Sequence, residues 1–290
     1  MLEPRPRAIG LAAAAREADE RPLPSDHAVL RATVWPEGTQ AAAQAIDHAL
    51  VEEVAVALVY NGISHAVMLA TPSDLEDFAY GFSLTEGIVT RRQDLHGMDI
   101  VPLAEGIELR IELAAERFVH LKQRRRSLVG RTGCGLCGVD SLAAALRPVA
   151  PLAQRFTLSR AALARGLDAL NHDQPLHRLT GGAHAAAWVT SDGSVQLVRE
   201  DVGRHNALDK LIGALLRWDN DPRTGFAVVT SRASYEMVHK AVSAGIGCLA
   251  AVSSPTAHAA RLAATAGLTL VGFARGQRCT AYTFPETLTA

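Results

Sequence analysis

The stretch SVQLVREDVGRHNALDKLIGALLRWDNDPRTGFAVVTS, residues 194–231, decides the fold class of this chain. An apolar run that favours a strand ends in charged residues at Glu200, a helical apolar pattern then extends from Arg204 to Arg217, and the strand-like run FAVVTS follows. Strands that alternate with helices in this way form a mostly parallel sheet with helices on both faces. The stretch therefore predicts an α/β domain.

The same alternation continues on both sides of this stretch, over residues 151–290. The flanking segments are, in order, the strand HAAAWV at 184–189, a helix from Tyr235 to Ala244, the strand CLAAVSS at 248–254, a helix from Pro255 to Ala266, the strand LTLVGFA at 268–274 and a last strand near Thr280 to Phe284. We therefore expect one α/β domain over this range, without an internal repeat.

The first part of the chain has a different pattern. The runs VAVALVY and ISHAVMLA flank Asn61-Gly62, the dipeptide best suited to a type I′ hairpin. Ser73, three residues before Glu76, predicts a capping-box helix start, and Gly87 predicts the helix end. With a further strand at 107–113, residues 29–128 are expected to form a small α+β domain. Residues 1–28 are expected to be a disordered tail, and residues 129–150 a glycine-rich arm and linker.

Bulk composition sets limits on the environment and the partners. The net charge is -1 among 290 residues, so nothing in the overall charge favours nucleic acid or a membrane surface. No apolar run reaches the roughly 18 residues of a membrane span, and the N-terminal sequence lacks a convincing export signal. Four cysteines in a chain of this length do not form a disulfide framework. We expect a cytoplasmic protein with free thiols.

The arm carries the segment GRTGCGLCG, residues 130–138, in which Cys134 and Cys137 form a CxxC pair among four glycines. Glycines make the backbone flexible, which suits a thiol that must contact two different partners. Arg124, Arg125, Arg126 and Arg131 precede or adjoin the pair, and positive charge near a thiol favours the nucleophilic thiolate. The segment is therefore interpreted as a sulfur-carrying arm.

Two other interpretations of the CxxC pair stay open on spacing alone. Among proteins with a CxxC pair, one that forms half of a structural zinc site is at least as common as a catalytic one. A closed zinc site needs two further ligands, however, and Cys248 and Cys279 are isolated in apolar strand runs. A thioredoxin-type site has its first cysteine at a helix N-terminus after a strand, whereas Cys134 lies in a glycine-flanked arm. The context favours transfer chemistry, with no metal.

Charged residues also collect where predicted strands end. Arg204 and His205 follow the strand SVQLVRE, Arg232 follows FAVVTS, and Ser253 and Ser254 end CLAAVSS. Ligands of open α/β sheets bind at such strand ends, and the N–H groups of a new helix can receive a phosphate. The alternative is a capping and salt-bridge cluster, with Asp201 as the N-cap. Asp209 and Lys210 are interpreted as helix-surface or capping residues.

The loop GFARGQR, residues 272–278, offers an aromatic ring and two cations. Phe273 could stack on a base, and Arg275 or Arg278 could pair with a phosphate. On composition alone, a basic surface hairpin with Phe273 in the core is the better interpretation. His184, after two glycines, is more typical of a structural histidine than of a ligand.

Taken together, the segments GRTGCGLCGVDSL, TGGAHAAAW, REDVGRHNALDKLIG, SRASYEMVHKA and LTLVGFARG resemble the FdhD family of formate dehydrogenase accessory sulfurtransferases. The match covers residues 34–284 in the same order. The resemblance implies a three-layer α/β/α cytidine-deaminase-like domain, a smaller N-terminal α+β domain and a homodimer. It also implies that a cysteine desulfurase loads a persulfide, whose sulfur passes to the bis-molybdopterin-guanine-dinucleotide molybdenum cofactor for formate dehydrogenase.

The resemblance assigns roles to particular residues. The persulfide position matches Cys134, with Cys137 as a possible helper. The segment that binds the cofactor matches Phe273, Ala274, Arg275, Gly276, Gln277 and Arg278. Arg204, His205, Arg232 and Glu236 become expected pocket lining, and a guanine nucleotide is expected to substitute for the cofactor.

A zinc deaminase is the rival that the implied fold raises. That chemistry needs an HxE or CxE pair and a PCxxC segment. Here Ala185 and Ala186 follow His184, Cys134 follows Gly133, and the CxxC pair precedes the histidine. We therefore expect no deaminase. A cofactor-binding chaperone without sulfur transfer and a zinc-binding structural protein remain as alternatives.

Overall fold

A computed structural model describes residues 21–35, 37, 42–126 and 148–290. The predicted arm with Cys134 and Cys137 lies outside these ranges up to residue 147, and the predicted tail lies outside them up to residue 20. Within residues 1–28, the first strand already begins at His27.

Strands and helices alternate regularly only over residues 195–275 in the described ranges. The strands are β1 (His27–Val34), β2 (Gln44–Val51), β3 (Val54–Tyr60), β4 (Ile63–Ala70), β5 (Leu95–Leu103), β6 (Gly106–Leu113), β7 (Leu158–Ser159), β8 (His184–Thr190), β9 (Val195–Asp201), β10 (Gly225–Val229), β11 (Cys248–Ala251), β12 (Thr269–Arg275), β13 (Arg278–Ala281) and β14 (Leu288–Thr289). The α-helices are α1 (Leu75–Thr85), α2 (Ala115–Arg126), α3 (Arg160–His172), α4 (Pro175–Thr180), α5 (Arg204–Arg217), α6 (Tyr235–Ser243) and α7 (Ala257–Ala266). Single 3-10 turns occupy Arg92–Asp94 and Pro285–Thr287.

The larger sheet has six strands in the order β13-β12-β11-β10-β8-β9. Only the pairs β10–β11 and β11–β12 are parallel, so the prediction of a mostly parallel sheet was wrong. The reason lies in the connections: a short turn joins β8 to β9, and Gly276-Gln277 joins β12 to β13. Turns of this length can connect only antiparallel neighbours.

Helices cover both faces of this sheet. Alternate residues of β8 separate the two sides: Ala186 and Trp188 pack with α5, α6 and α7, whereas Ala185, Ala187 and Val189 pack with α3. This period of two is what a strand imposes on its side chains. The mixed α/β class is thus confirmed, and the likeness to cytidine deaminases stays a prediction.

The first part of the chain forms a four-stranded sheet in the order β4-β3-β6-β5, with α1 against it. Asn61 and Gly62 have φ angles of +45° and +78°, which confirms the predicted turn. The predicted capping box was wrong: α1 starts after Asp74, which has φ +50° and makes no side-chain cap bond. The helix ends at Thr85, before Gly87, as expected.

The two sheets are joined through α1 and α5. A Cβ atom on Gly81 would lie 1.7 Å from the Asp209 carbonyl oxygen, and one on Gly213 would lie 1.7 Å from the Asp77 carbonyl oxygen. Real Cβ atoms are never so close, so both positions must be glycine for the helix backbones to touch. This contact fixes α5, and therefore the edge of the larger sheet at which α5 begins, against the first part of the chain.

Two smaller sheets complete the described fold. The ribbon β1–β2 is antiparallel, and β14 pairs in parallel with β7. No helix in the described ranges is long and apolar enough to cross a membrane.

Candidate functional site

One edge of the larger sheet gathers the polar strand ends that the sequence singled out. The carboxyl ends of β10, β11 and β12 meet there because these strands are parallel. Since β8 runs antiparallel to β10, it begins at this edge, and β9 ends there with Asp201 opposite His184. We call this edge the rim and define it by residues 184, 201–205, 230–236, 252–258 and 273–278.

Backbone contacts connect the loops of the rim. Phe273 N donates to Ser253 O at 3.1 Å, Thr256 N donates to Ala233 O at 3.0 Å, and Ala185 N donates to the Thr230 hydroxyl at 2.9 Å. Four strand spacings separate β12 from β9, which gives the rim a length of about 19 Å. All the predicted cofactor-binding residues therefore lie along one continuous edge.

The segment from Phe273 to Arg278 forms one end of the rim. Phe273 has φ +49° and is 45% exposed, so it is not a core residue as composition alone had favoured. Such a conformation is uncommon for an aromatic residue and marks a position held by its surroundings. Ala274 is fully buried, so its methyl group cannot contact a ligand there. Arg275, Gly276, Gln277 and Arg278 are exposed, the last of these opening β13.

The other end of the rim carries Arg204 and His205, at the start of α5. The His205 Nε2 atom lies 2.8 Å from the Glu236 Oε2 atom on α6. This hydrogen bond lowers the pKa of Glu236; burial opposes the shift, and the charges of Lys240 and Arg204 reinforce it. The histidine and the carboxylate therefore form a charge-assisted pair that joins the first turns of two helices.

His184 lies beside this pair and is half-buried. Partial burial, followed by the charges of Arg204 and His177, lowers the pKa of His184, and Asp201 partly opposes this. Neither the His184 ring nor the Arg204 guanidinium forms a hydrogen bond or a close ion pair with any residue that the structure describes. His184 therefore lacks the hydrogen bond expected of a structural histidine in these ranges, and its role as a structural residue rather than a ligand stays a prediction.

A buried ion pair holds the corner between β9 and α5. Lys210 and Asp201 are both 0% exposed, with 2.7 Å between Nζ and Oδ2. The Asp201 carboxylate also accepts hydrogen bonds from Thr71 N and Gly203 N. The prediction of Lys210 on the helix surface was wrong, and so was that of Asp201 as N-cap, because Gly203 takes that position. Asp209, expected beside Lys210 on the surface, is also buried.

The sequence interpretation missed one part of the rim. The rings of Tyr235 and His258 lie 4.6 Å apart at an interplanar angle of 43°, at the starts of α6 and α7. His258 is exposed. The sequence offered a signal for His258, because it lies soon after a predicted strand end, as Arg204 and Arg232 do.

The remaining cysteines do not supply a second thiol pair at the rim. Cys248 is fully buried, and burial raises its pKa to about 12, as expected for a small core residue. Cys279 is half-buried on β13. Among the residues with described positions, no three histidine, cysteine or acidic side chains are grouped to hold a metal ion.

Fold and rim together define a mixed α/β protein with a cationic edge on its larger sheet. The model of the FdhD/NarQ family matches residues 51–289, and this chain therefore belongs to that family.

Several relatives are similar over most of their length. A protein named sulfur carrier protein FdhD from Bordetella petrii is 55% identical over 237 residues, which cover 82% of this chain and 85% of the relative. Proteins of the same name from Xanthomonas euvesicatoria pv. vesicatoria and Cupriavidus necator are 57% and 56% identical, over 81% and 82% of this chain and 84% and 82% of their own lengths.

A solved structure also resembles the fold. The crystal structure of a protein described as a formate dehydrogenase accessory protein from Desulfotalea psychrophila superposes with a TM-score of 0.70 at 24% identity. The match covers 92% of this chain and 100% of the other chain. At this identity the likeness concerns the fold alone.

Proposed function

We propose that this protein is a cytoplasmic sulfur carrier for the maturation of formate dehydrogenase. Cys134 accepts sulfur from a cysteine desulfurase and delivers it to the bis-molybdopterin-guanine-dinucleotide cofactor while the rim holds the cofactor's nucleotide ends. The rim is the geometric support for the proposal: cations of distant segments lie along one edge, and the Arg204 guanidinium forms no hydrogen bond or close ion pair in the described ranges. Family membership and the sulfur carrier name of the relatives support the role of Cys134.

Loading is a thiolate exchange. The Cys134 thiolate attacks the terminal sulfur of the desulfurase persulfide, a new S–S bond forms, and the donor cysteine leaves as a thiolate with the electron pair of the broken bond. No net oxidation occurs. The four arginines near the CxxC pair in sequence favour the attacking thiolate.

Delivery has two balanced routes. In one, the Cys137 thiolate attacks the Cys134 sulfur, a disulfide forms, and hydrosulfide leaves with the electron pair of the persulfide bond. In the other, Cys134 keeps that electron pair as a thiolate, and the sulfur atom bonds through an electron pair of the metal, which is oxidised by two electrons. Mass analysis of Cys137→Ala distinguishes the two routes, because only the first needs Cys137. If the added sulfur leaves Cys134 of this variant when the cofactor is supplied, delivery follows the second route.

The rim would hold the nucleotide ends by two kinds of contact. Phe273 offers an exposed ring for stacking on guanine, and Arg204, Arg232, Arg275 and Arg278 offer guanidinium groups for phosphate oxygens. Ala274 would contribute through its backbone only, since its side chain is buried. We further propose that the protein acts as a homodimer and needs no resident metal.

The sulfur-carrying step is tested by mass spectrometry. After incubation with a cysteine desulfurase and cysteine, we expect one added sulfur atom at Cys134 in the wild type and none in Cys134→Ala. Cys279→Ala is the matched control and should load normally. An adduct that survives Cys134→Ala would refute the assignment.

The rim is tested by calorimetry with GDP as the probe. Stacking on an aromatic ring contributes about 1–3 kcal/mol per base, so Phe273→Ala should weaken GDP binding about 5- to 150-fold. Trp218→Ala is the control, because this exposed ring follows the opposite end of α5, about 21 Å from the rim by helix rise. If both variants bound GDP with equal affinity, Phe273 would not be part of the nucleotide site.

A cofactor-binding chaperone without sulfur transfer is the second candidate, and the same rim favours it. It predicts that Cys134→Ala still activates formate dehydrogenase in cells that lack their own copy of the protein. Metal analysis of the purified chain addresses the zinc-binding alternative, which requires stoichiometric zinc that is lost in Cys137→Ala.

A further inference from the structure

Three histidines and one arginine lie close together at the β8–α5 end of the rim. His184 begins β8, Arg204 and His205 begin α5, and the His177 ring lies 2.8 Å from the carbonyl oxygen of Ala183, next to His184. Neither His184 nor Arg204 has a hydrogen-bonding partner in the ranges that the structure describes. Partial burial is the main reason that the pKa of His184 is lowered, the charges of Arg204 and His177 lower it further, and Asp201 partly opposes them.

The acidic groups around this cluster are already engaged. Asp201 on β9 pairs with Lys210, and Glu236 on α6 pairs with His205. Glu200, the preceding residue of β9, accepts hydrogen bonds from Leu176 N and His177 N at 2.9 and 2.8 Å. From β10, the only charged neighbour on the adjoining loop is the exposed cation Arg232. Asp201 and Glu236 therefore act on His184 and Arg204 only at longer range, and none of these described carboxylates forms a hydrogen bond or a close ion pair with either side chain.

The backbone adds to the positive potential. Helix α5 has 14 residues, and its N-cap, Gly203, has no side chain to cap the first turn. Free N–H groups at the start of a helix attract anions. Together with the side chains of Arg204 and His184, these N–H groups place hydrogen-bond donors from two elements at the same end of the rim.

We propose that His184, Arg204 and His205 form a subsite for a phosphate-type dianion, and that the dianion binds together with a proton taken up by His184. The inference rests on the proposed function only for the source of the anion, which would be the diphosphate of a bound nucleotide. The sign follows from electrostatics: a dianion beside the ring stabilises imidazolium, so the pKa of His184 rises on binding. Binding must then be tighter below the titration range of His184 than above it.

The test uses the full-length protein with isotope-labelled histidines and sulfate as the probe, because sulfate does not titrate between about pH 5 and 8. The His184 ring signal is assigned by its loss in His184→Gln and followed over this pH range at constant ionic strength, with and without sulfate. We expect sulfate to raise the His184 midpoint by about one pH unit, which corresponds to about tenfold tighter binding at the acidic end. The His205 midpoint is read from the same spectra.

Three variants complete the design. His184→Gln should lose most of the pH dependence of sulfate affinity, and Arg204→Gln should weaken binding at every pH. The matched control, His172→Gln, changes an exposed histidine at the end of α3 and should behave as wild type. The remaining histidine signals report whether each variant is folded.

The proposal is overturned if saturating sulfate leaves the His184 midpoint unchanged. It is also overturned if sulfate affinity depends on pH in His184→Gln as it does in the wild type. This outcome is distinct from failure of the proposed function. Sulfur loading at Cys134 is measured separately and does not use the rim, so normal loading with no sulfate effect would reject the subsite alone.

Discussion

Lys210→Met should destabilise this protein more than most single substitutions do. The Lys210 Nζ atom is fully buried and lies 2.7 Å from Asp201 Oδ2, 3.0 Å from Thr71 O and 3.3 Å from Glu200 O. Methionine fills nearly the same space but carries no charge and donates no hydrogen bond. The substitution therefore leaves the Asp201 carboxylate buried without its cation.

Removal of one partner of a buried ion pair costs about 3–5 kcal/mol. We expect a value near the lower end, about 3 kcal/mol, because Asp201 keeps hydrogen bonds from Thr71 N, Gly203 N and Asn206 Nδ2. Domains typically unfold with about 5–15 kcal/mol, so the loss is a large part of the total. Urea unfolding, followed by tryptophan fluorescence and circular dichroism, measures it.

The double variant Asp201→Asn/Lys210→Met separates the charge from the packing. It leaves no uncompensated charge, so it should be more stable than Lys210→Met alone, although it removes more native interactions. The reasoning would be refuted if Lys210→Met lost less than about 1 kcal/mol, or if the double variant were no more stable than the single one.

Three further predictions follow from the packing and the titrating groups. Gly213→Ala places a Cβ atom 1.7 Å from the Asp77 carbonyl oxygen and should cost about 3 kcal/mol or more in urea unfolding. Gly62→Ala, with nothing within 4 Å, should cost only the strain of its φ of +78°, about 1–2 kcal/mol, and similar losses in both variants would show that the α1–α5 contact is loose. Burial by itself would raise the pKa of Asp94, but hydrogen bonds from Thr90 and Arg91 and the charge of Arg117 lower it to about 2. The stability that Asp94 contributes, about 2 kcal/mol, is present above about pH 4 and is lost as the pH falls towards 2; Asp94→Asn should flatten that acid limb, and an unchanged pH profile would contradict the shift. In native protein at pH 7.5, iodoacetamide should leave Cys248 unmodified and should modify it after unfolding in urea, as peptide mass analysis would show; rapid native labelling would contradict its burial.

Local signals in the sequence were enough to place many elements and the rim. Asn61-Gly62 can hardly adopt anything but a tight hairpin turn, and the structure has that turn. The alternation of apolar runs predicted α5, β10, α6, β11, α7 and β12, and parallel strands bring their carboxyl ends together. Hence the polar strand ends at Arg204, Arg232 and Ser253 were expected at one edge before any coordinates, whereas only the family resemblance pointed to the Phe273 segment.

Burial was harder to predict, because it depends on which element packs on the second face. The pattern of α5 places Lys210 and Asp209 opposite the sheet, where the surface of a domain would normally be. In the structure α1 packs against α5 at Asp209, which is buried and paired with Lys240. Lys210 is buried against the end of β9 and the loop before α1, where it pairs with Asp201. The sequence of α5 does not show that α1, a helix more than 120 residues earlier in the chain, packs against it.

The sequence by itself determined the α/β class, the strand ends that form the rim and the CxxC pair, because these depend on local propensity, periodicity and residue chemistry. Only the tertiary structure decided that the sheet edges are antiparallel, that Ala274 is buried, and that Arg204 and His184 form no close ion pair with a carboxylate in the described ranges. These properties come from contacts between distant segments. Their energies depend on burial and on neighbouring charges, which no single stretch of sequence contains.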